Sequence, residues 1–503
     1  MLTRDRAAWL LATVLIVVAG SASADPALAR PSAPLRHDGR WFVDAKGRTV
    51  VLRGFNMVYK VGDYRPESAG FGADDARFLR RQGFNTIRLG VIYKGLEPTP
   101  PGADQVPHYD DAYLDSIART EAILAHKKIH TLLDFHQDLY NERFEGEGWP
   151  DWAVRDDGLP AEPQNGFPGN YLGMQALNRA FDHFWANDPA AGRPLQDAYA
   201  AAWQHVARRF RNHRWVFGYD ILNEPWPGSQ WPSCTSPAGC PAFDQGQLAD
   251  FSARVLESIR RVDPSTLVFW EPLLVFDFGA QTSHPDLDDP AAGFSFHNYC
   301  LPGAFGGPTG TSCASLEELV FDNADAIVDR TGDVPLLSEF GATDDLETIG
   351  RISALADQHM LSWQEWHYCD CEDPTTAGPG VQSVVLDPNL PPRGANLKKA
   401  KLRLLARPYP QAVNGVADGW EFDPVSRRFT LSYSTAPIGG EPIPRRVKTK
   451  VAVPPINYRH GYRVRLDGGE VRSRRNGPIL RIKANRDAES VSLTIVPRRR
   501  RHH

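Results

Sequence analysis

Past its first thirty residues the chain has no apolar run long enough to cross a bilayer, which takes about 20 consecutive apolar residues as a helix. It also lacks a surplus of charge of either sign. Its 56 basic and 61 acidic side chains leave a formal −5 over 503 residues, so no overall field draws it to nucleic acid or to an anionic surface. A neutral partner fits better. No CxxC pair faces a second such pair and no HExxH stretch occurs, which removes the common frameworks of a zinc site. No internal repeat or low-complexity tract interrupts the chain.

What is present begins with a leader. Arg4 and Arg6 precede the apolar run Ala7 to Ala19, and SASA and ALA follow, the charged, greasy, small-residue order of a signal peptide over 1–29, cleaved after Ala24 or Ala29. A secreted, extracellular protein is expected. Six cysteines fall as three close pairs, Cys234 with Cys240, Cys300 with Cys313, and Cys369 with Cys371, which suits local disulfides in an oxidising compartment. The last ring is the tightest. The length calls for more than one domain.

Apolar strand-like runs alternate with helical patterns. TVVLRGFN precedes a helix at 73–82, FNTIRLG one at 111–128, HTLLDFH one at 195–210 and VFGYDILNE one at 245–262. LVFWEP, FSFHNYC, VPLLSEFG and MLSWQEWHY continue the beat. Eight buried parallel strands separated by helices predict an α/β fold, a (β/α)₈ TIM barrel, over 30–408. After the third strand, 139–192 is rich in Gly, Pro, Asp and aromatics (Phe144, Trp149, Trp152, Phe167, Tyr171) and reads as a long loop at the barrel mouth with only fragments of helix. Short alternating runs over 409–498 predict a C-terminal β-sandwich, and 499–503 a solvated basic tail.

Two glutamates close apolar strands: Glu224 in DILNEPW after the fourth and Glu339 in LLSEFG on the seventh. In a barrel both reach one mouth, whatever their separation in sequence. Cleavage of a glycosidic bond needs such a pair, one carboxylic acid at the leaving oxygen and one carboxylate under the anomeric carbon.

NEP and SEFG resemble the acid/base and nucleophile motifs of the retaining barrel glycosidases of glycoside hydrolase family five. The resemblance implies Glu224 as acid/base, Glu339 as nucleophile, and carboxyls about 5–5.5 Å apart. It also implies that Arg88 keeps the nucleophile ionised, that Asn223 holds the sugar 2-hydroxyl, and that His297 and Tyr299 form the strand-six pair, with Tyr299 donating to Glu339. His136 would lie by the reacting sugar and Trp366 would stack on it, with Trp363 as the alternative. DFHQDLYNE, FSFHNYCLPG and HYCDCEDPTTAGPG are similar to the endoglycoceramidases, which release an intact glycan from the ceramide of glycosphingolipids. By that likeness Lys60 and Asp138 bind the glucose attached to the lipid. No cofactor or metal is implied. The partners implied are a glycosphingolipid substrate and transient contact with a membrane surface, with no nucleic acid and a monomeric enzyme.

The apolar stretch PLLVFDFG after the fifth strand, with Leu273, Leu274, Val275 and Phe276, suits ceramide tails or, equally, packing under the rim. Three other readings stay open: a cellulase, mannanase or steryl-glucosidase on the same scaffold, a non-catalytic glycan or lipid binder, and metal-dependent hydrolysis through His136, Asp138 and His297.

Overall fold

The computed structural model describes residues 35–300, 310–375, 380–440, 442–444 and 446–498; the expected leader and basic tail lie outside them. Eight parallel strands close in sequence order into a barrel: β1 (Arg53–Met57), β2 (Thr86–Ile92), β3 (His130–His136), β4 (Val216–Asp220), β5 (Leu267–Trp270), β6 (Ala292–Asn298), β7 (Val334–Phe340) and β8 (Ser362–Glu365). β8 pairs with β1, Trp363 opposite Arg53. Nearly every strand residue is buried, which is why these runs are apolar on both faces rather than alternating.

The outer ring consists of α1 (Ala73–Gln82), α2 (Asp111–His126), α3 (Leu195–Phe210), α4 (Ala249–Arg260), α5 (Gly310–Thr331), α6 (Leu346–Gln358) and α7 (Lys399–Leu405). Sequence signals set the ends: Asp110 caps α2 by accepting from the Tyr113 N–H at 3.0 Å. Between β5 and β6 there is only a short 3₁₀ turn, Leu274–Phe278, so the ring is open there. The long β3 loop carries more helix than the sequence reading allowed. Gln175–Trp185 is a full helix whose Leu177, Phe181 and Phe184 face the core. Its period of 3.6 was present in ALNRAFDHFW but outweighed by the Gly and Pro around it. Within this loop Trp149 stacks on Tyr140 at 4.2 Å, so it packs the loop onto the barrel.

The C-terminal region is a sandwich of a seven-stranded and a four-stranded sheet. One expectation fails: residues 35–50, assigned to the barrel, belong to the larger sheet. Leu35–Asp38, Trp41–Asp44 and Thr49–Val50 form antiparallel strands, and Val50 pairs with Ala412 of Tyr409–Val413. Their partner strand lies at the far end of the chain, so no pattern within 35–50 shows the pairing. This hairpin also plugs the bottom of the barrel, where Phe42 meets Phe217 at 5.7 Å and Phe269 at 6.2 Å. Arg53 and Asp357 form a buried ion pair at the join. Asp357 also meets Arg407 at 3.2 Å and accepts from Trp420 Nε1 at 2.7 Å. The six cysteines pair as the spacing predicts, Cys369 with Cys371 included. Among the described residues no helix is long and apolar enough to cross a membrane.

Candidate active site

β2, β4, β6 and β7 deliver their polar residues to one end of the barrel. Arg88, fully buried on β2, is the hub. Its guanidinium reaches Glu339 at 2.5 Å, Glu271 at 2.8 Å, Asp134 at 3.0 Å and Asp220 at 3.0 Å, and donates to Asn223 Oδ1 at 2.9 Å. Tyr299 donates to the other oxygen of Glu339 at 2.8 Å. The nitrogen Nδ1 of His297 stands 2.8 Å from Glu224 Oε1 and 3.6 Å from Glu339 Oε2. One imidazole therefore faces both carboxyls, and the gap between those oxygens cannot exceed the sum of the two distances.

Glu224 itself has φ of 42°, in the left-handed region that a side-chain-bearing residue seldom adopts. What holds it there is Glu271 at the end of β5, whose Oε2 accepts the Glu224 N–H at 2.8 Å while Oε1 accepts from Arg88. Glu271 thus ties the backbone of one catalytic candidate to the cation that holds the other.

Six carboxyl groups (Asp134, Asp220, Glu224, Glu271, Asp277, Glu339) crowd around two cations, Arg88 and His297. Burial raises the pKa of Glu224 and pushes Glu339 up to about 7, against the pull of His297 and Arg88. Arg88 thus acts in the direction expected of it, lowering the pKa of Glu339, but burial outweighs that pull. Burial opposes the charge on His297, but Glu339 and Glu271 beside it raise its pKa well above the usual histidine value. Glu271 is drawn down to about 2 by His297 and Arg88, although burial works the other way.

A second polar group flanks this one. Lys60 donates to Asp138 at 2.5 Å and Thr375 at 2.7 Å, lies 3.3 Å from Asp373 and 3.7 Å from Glu147, and sits 4.4 Å from the ring centre of Trp366. His136 stacks on Trp366 at 5.1 Å, is fixed through Nδ1 by Asp134 at 2.8 Å, and has its Nε2 3.6 Å from Asp138. Burial pushes its pKa down to about 3. A neutral ring bonded through Nδ1 leaves Nε2, which has no partner here, as a buried acceptor for a ligand hydroxyl. Trp366, not Trp363, belongs to this site: Trp363 packs between Phe84 and Phe340 in the core. The three residues of the metal reading do not form one group: His136 and Asp138 lie together with Glu147, where the Lys60 ammonium meets both carboxylates, while His297 stands with Glu224 and Asp277. Asn223, expected at a sugar hydroxyl, has its amide nitrogen on the Gln137 carbonyl at 3.0 Å.

Two grooves lie near these groups. One of about 430 Å³ starts at Lys60 and runs past Glu145 and Phe167. The other, of about 480 Å³, fills the opening left by the missing helix and is apolar: Tyr171, Leu172, Trp226, Trp231, Val275 and Phe278 line it. Its floor is anchored beside Glu224, since the Leu274 N–H donates to the carbonyl of Pro225 at 3.2 Å. Phe276 is not part of it. That ring is 1% exposed and packs against Phe294 at 5.7 Å, so for this residue PLLVFDFG is core.

The sequence reading brought Arg88, Asn223, Glu224, His297, Tyr299 and Glu339 to one place and Lys60, His136, Asp138 and Trp366 to its neighbour. It passed over Asp134, Asp220, Glu271 and Asp277. Asp134, Asp220 and Glu271 are acids at or near the end of an apolar strand, the same signal that singled out Glu339, whereas Asp277 lies in the turn Leu274–Phe278.

Residues 43–372 match the cellulase domain of glycosyl hydrolase family 5, and 407–496 match that family's C-terminal domain. Endoglycoceramidase I of Rhodococcus hoagii is 33% identical over 473 residues, 91% of this chain and 87% of that one. An endoglycoceramidase of Cyanea nozakii is 29% identical over 78% of this chain and 79% of its own. Endo-glycoceramidase II from Rhodococcus sp., solved as a ganglioside GM3 complex, superposes with a TM-score of 0.72 at 27% identity, covering 91% of this chain and 99% of that one. With two strand-end glutamates across one imidazole, an arginine hub and matched domains from the barrel to the sandwich, the chain belongs to glycoside hydrolase family 5, a family of retaining glycosidases.

Proposed function

We propose that the enzyme hydrolyses the β-glycosidic bond between glycan and ceramide in glycosphingolipids, releasing intact oligosaccharide and ceramide. The observation that carries this is the apolar groove whose Leu274 wall is bonded to Pro225, the residue after Glu224, a position suited to an apolar leaving group. The relatives named endoglycoceramidase support it. Glu339 attacks the anomeric carbon, and Glu224 gives its proton to the ceramide oxygen. The glycosyl-enzyme so formed is then opened by a water that Glu224 deprotonates. Tyr299 and Arg88 steady the Glu339 carboxylate before attack. Lys60, Asp138 and the free Nε2 of His136 take the hydroxyls of the glucose on the Trp366 side, with Asn223 at the 2-hydroxyl. Each tail methylene moved from water into the groove contributes about 0.8 kcal/mol.

Incubation with a ganglioside, lactosylceramide, a 6-gala-type glycolipid, a steryl glucoside and a cellulose oligomer, with both products identified, tests the reading. Free ceramide together with intact glycan is expected. Turnover of the cellulose oligomer or the steryl glucoside in preference to all three glycolipids would overturn it. The same reading makes the enzyme an exported monomer that meets its substrate at a membrane surface, checked by N-terminal sequencing of protein from the culture medium and by its hydrodynamic size.

A further inference from the structure

The near-neutral total of the chain conceals a division. Residues 35–408 carry 34 lysines and arginines against 51 aspartates and glutamates, a formal −17, whereas residues 409–498 carry 16 against 8, a formal +8. The sandwich is a strongly basic body on an acidic barrel.

Four of its sixteen cations, Arg427, Arg428, Arg459 and Arg463, gather at one end. The hairpin joining Val416–Asp423 to Arg428–Ser434 turns through 424–427, and its tip residue Val425 is 89% exposed. The one acid in the turn is engaged, since Asp423 accepts the Val425 and Ser426 N–H groups at 2.9 and 3.3 Å. Arg428–Ser434 and Tyr462–Asp467 both run antiparallel to Ser490–Pro497, so their first residues lie at the same edge of the sheet. Burial alternates along both strands, which turns Arg428 and Arg463 outward beside the tip. Beneath the tip a cleft of about 630 Å³ between sandwich and barrel is lined by Arg403, Arg427 and Arg459 and by one acid, Glu347, together with Leu346, Leu404 and Ile456. Among the described residues none of these five arginines has an ion-pair partner, and all are exposed.

An exposed apolar tip within a collar of unpaired guanidiniums fits one partner chemistry, a bilayer bearing anionic headgroups, where the tip enters the interface and the cations meet phosphate and carboxylate. The position is also right. Leu346, at the cleft wall, starts α6 a few residues after β7, so the cleft reaches the barrel end where Glu339 stands.

We propose that the 424–428 tip, with Arg403, Arg459 and Arg463 around it, is the surface by which the enzyme docks on anionic phospholipid bilayers, presenting the barrel mouth to lipid-embedded substrate. That purpose rests on the glycosphingolipid reading; the docking itself does not.

The test is co-sedimentation of the full chain with phosphatidylcholine vesicles, with and without phosphatidylserine and free of glycolipid. The wild type should partition onto the anionic vesicles and release as salt rises. Arg427→Ala/Arg459→Ala/Arg463→Ala should lower that partition about a hundredfold, each arginine near such a surface counting for about fivefold. Val425→Asp should weaken it without removing a cation. Thermal melting and turnover of a soluble aryl glycoside should be unchanged in both variants. Equal partition of wild type and triple variant, no gain from phosphatidylserine, or an unaltered Val425→Asp protein would overturn the proposal. An enzyme that binds the vesicles but spares glycosphingolipids would instead overturn the substrate reading alone, and one that cleaves them in detergent yet ignores the vesicles would overturn docking alone.

Discussion

At the scale of single residues, Glu339→Ser removes the group that both Arg88 and Tyr299 hold, and hydrolysis should fall by several orders of magnitude while the barrel still melts normally. A variant retaining a tenth of the wild-type rate would remove Glu339 from the reaction. Glu224→Ala should spare substrates with very good leaving groups, and added azide should yield a β-glycosyl azide; equal loss on good and poor leaving groups would make Glu224 structural.

The acidic limb of kcat/KM reports ionisation of Glu339 in the free enzyme. Burial has pushed that group up to about 7, so the limb should lie well above the pH of an exposed glutamate. Arg88 acts in the opposite sense. Its removal in Arg88→Ala raises the pKa further, the ionised fraction at any given pH drops, and the limb moves upward in pH. An unmoved limb would deny Arg88 that role. Glu271→Gln keeps the volume but loses the charge that faces Arg88 and His297 and bonds the strained Glu224 backbone. kcat should fall about a hundredfold with KM little altered, through misplacement of the acid/base. A change in KM alone would show that Glu271 serves binding rather than alignment. Glu224 and Glu339 were legible because a carboxylate ending an apolar strand is costly without a purpose. Glu271 sends the same signal from FWEP, but what distinguishes it is a bond to the backbone of Glu224, and no pattern in one dimension shows which N–H a side chain will meet.

At the scale of elements, the opening between β5 and β6 holds the groove proposed for the leaving group. Val275 and Phe278 face the groove, while Phe276 belongs to the barrel wall. Val275→Asp should therefore reduce action on intact glycosphingolipid far more than on a short aryl glycoside of the same sugar, because only the former uses that surface. Matching losses on both, in protein shown by melting to be folded, would return the stretch to packing. The eight strands and most of the helices were legible because burial on both faces forces unbroken apolar runs. The 3₁₀ turn Leu274–Phe278 was not, because an apolar run of that length is compatible with strand, helix or turn and the choice is made by the neighbours it packs on.

At the scale of the whole molecule, barrel and sandwich share a buried electrostatic joint. Asp357→Ala would leave Arg53 and Arg407 buried without their counter-charge and Trp420 without its acceptor, a loss of roughly 3–5 kcal/mol. Melting should shift markedly downward and remain one cooperative transition; an unmoved midpoint would mean that the joint contributes nothing to stability. The sandwich was legible as a unit from its alternation, but its first strands were not, because pairing between the two ends of a chain leaves no local trace.

That pairing sets an order of events during synthesis. Val50 finds its partner only when Ala412 has been made, more than three hundred and fifty residues later. At about 5–20 residues per second the opening hairpin waits for roughly half a minute. Throughout that interval Phe42 and the aromatic floor of the barrel have no finished sheet to hold them together. The nascent chain is thus obliged to postpone closing its own base until the sandwich arrives, and it is in that half-minute, rather than in the finished enzyme, that a chaperone would find it open.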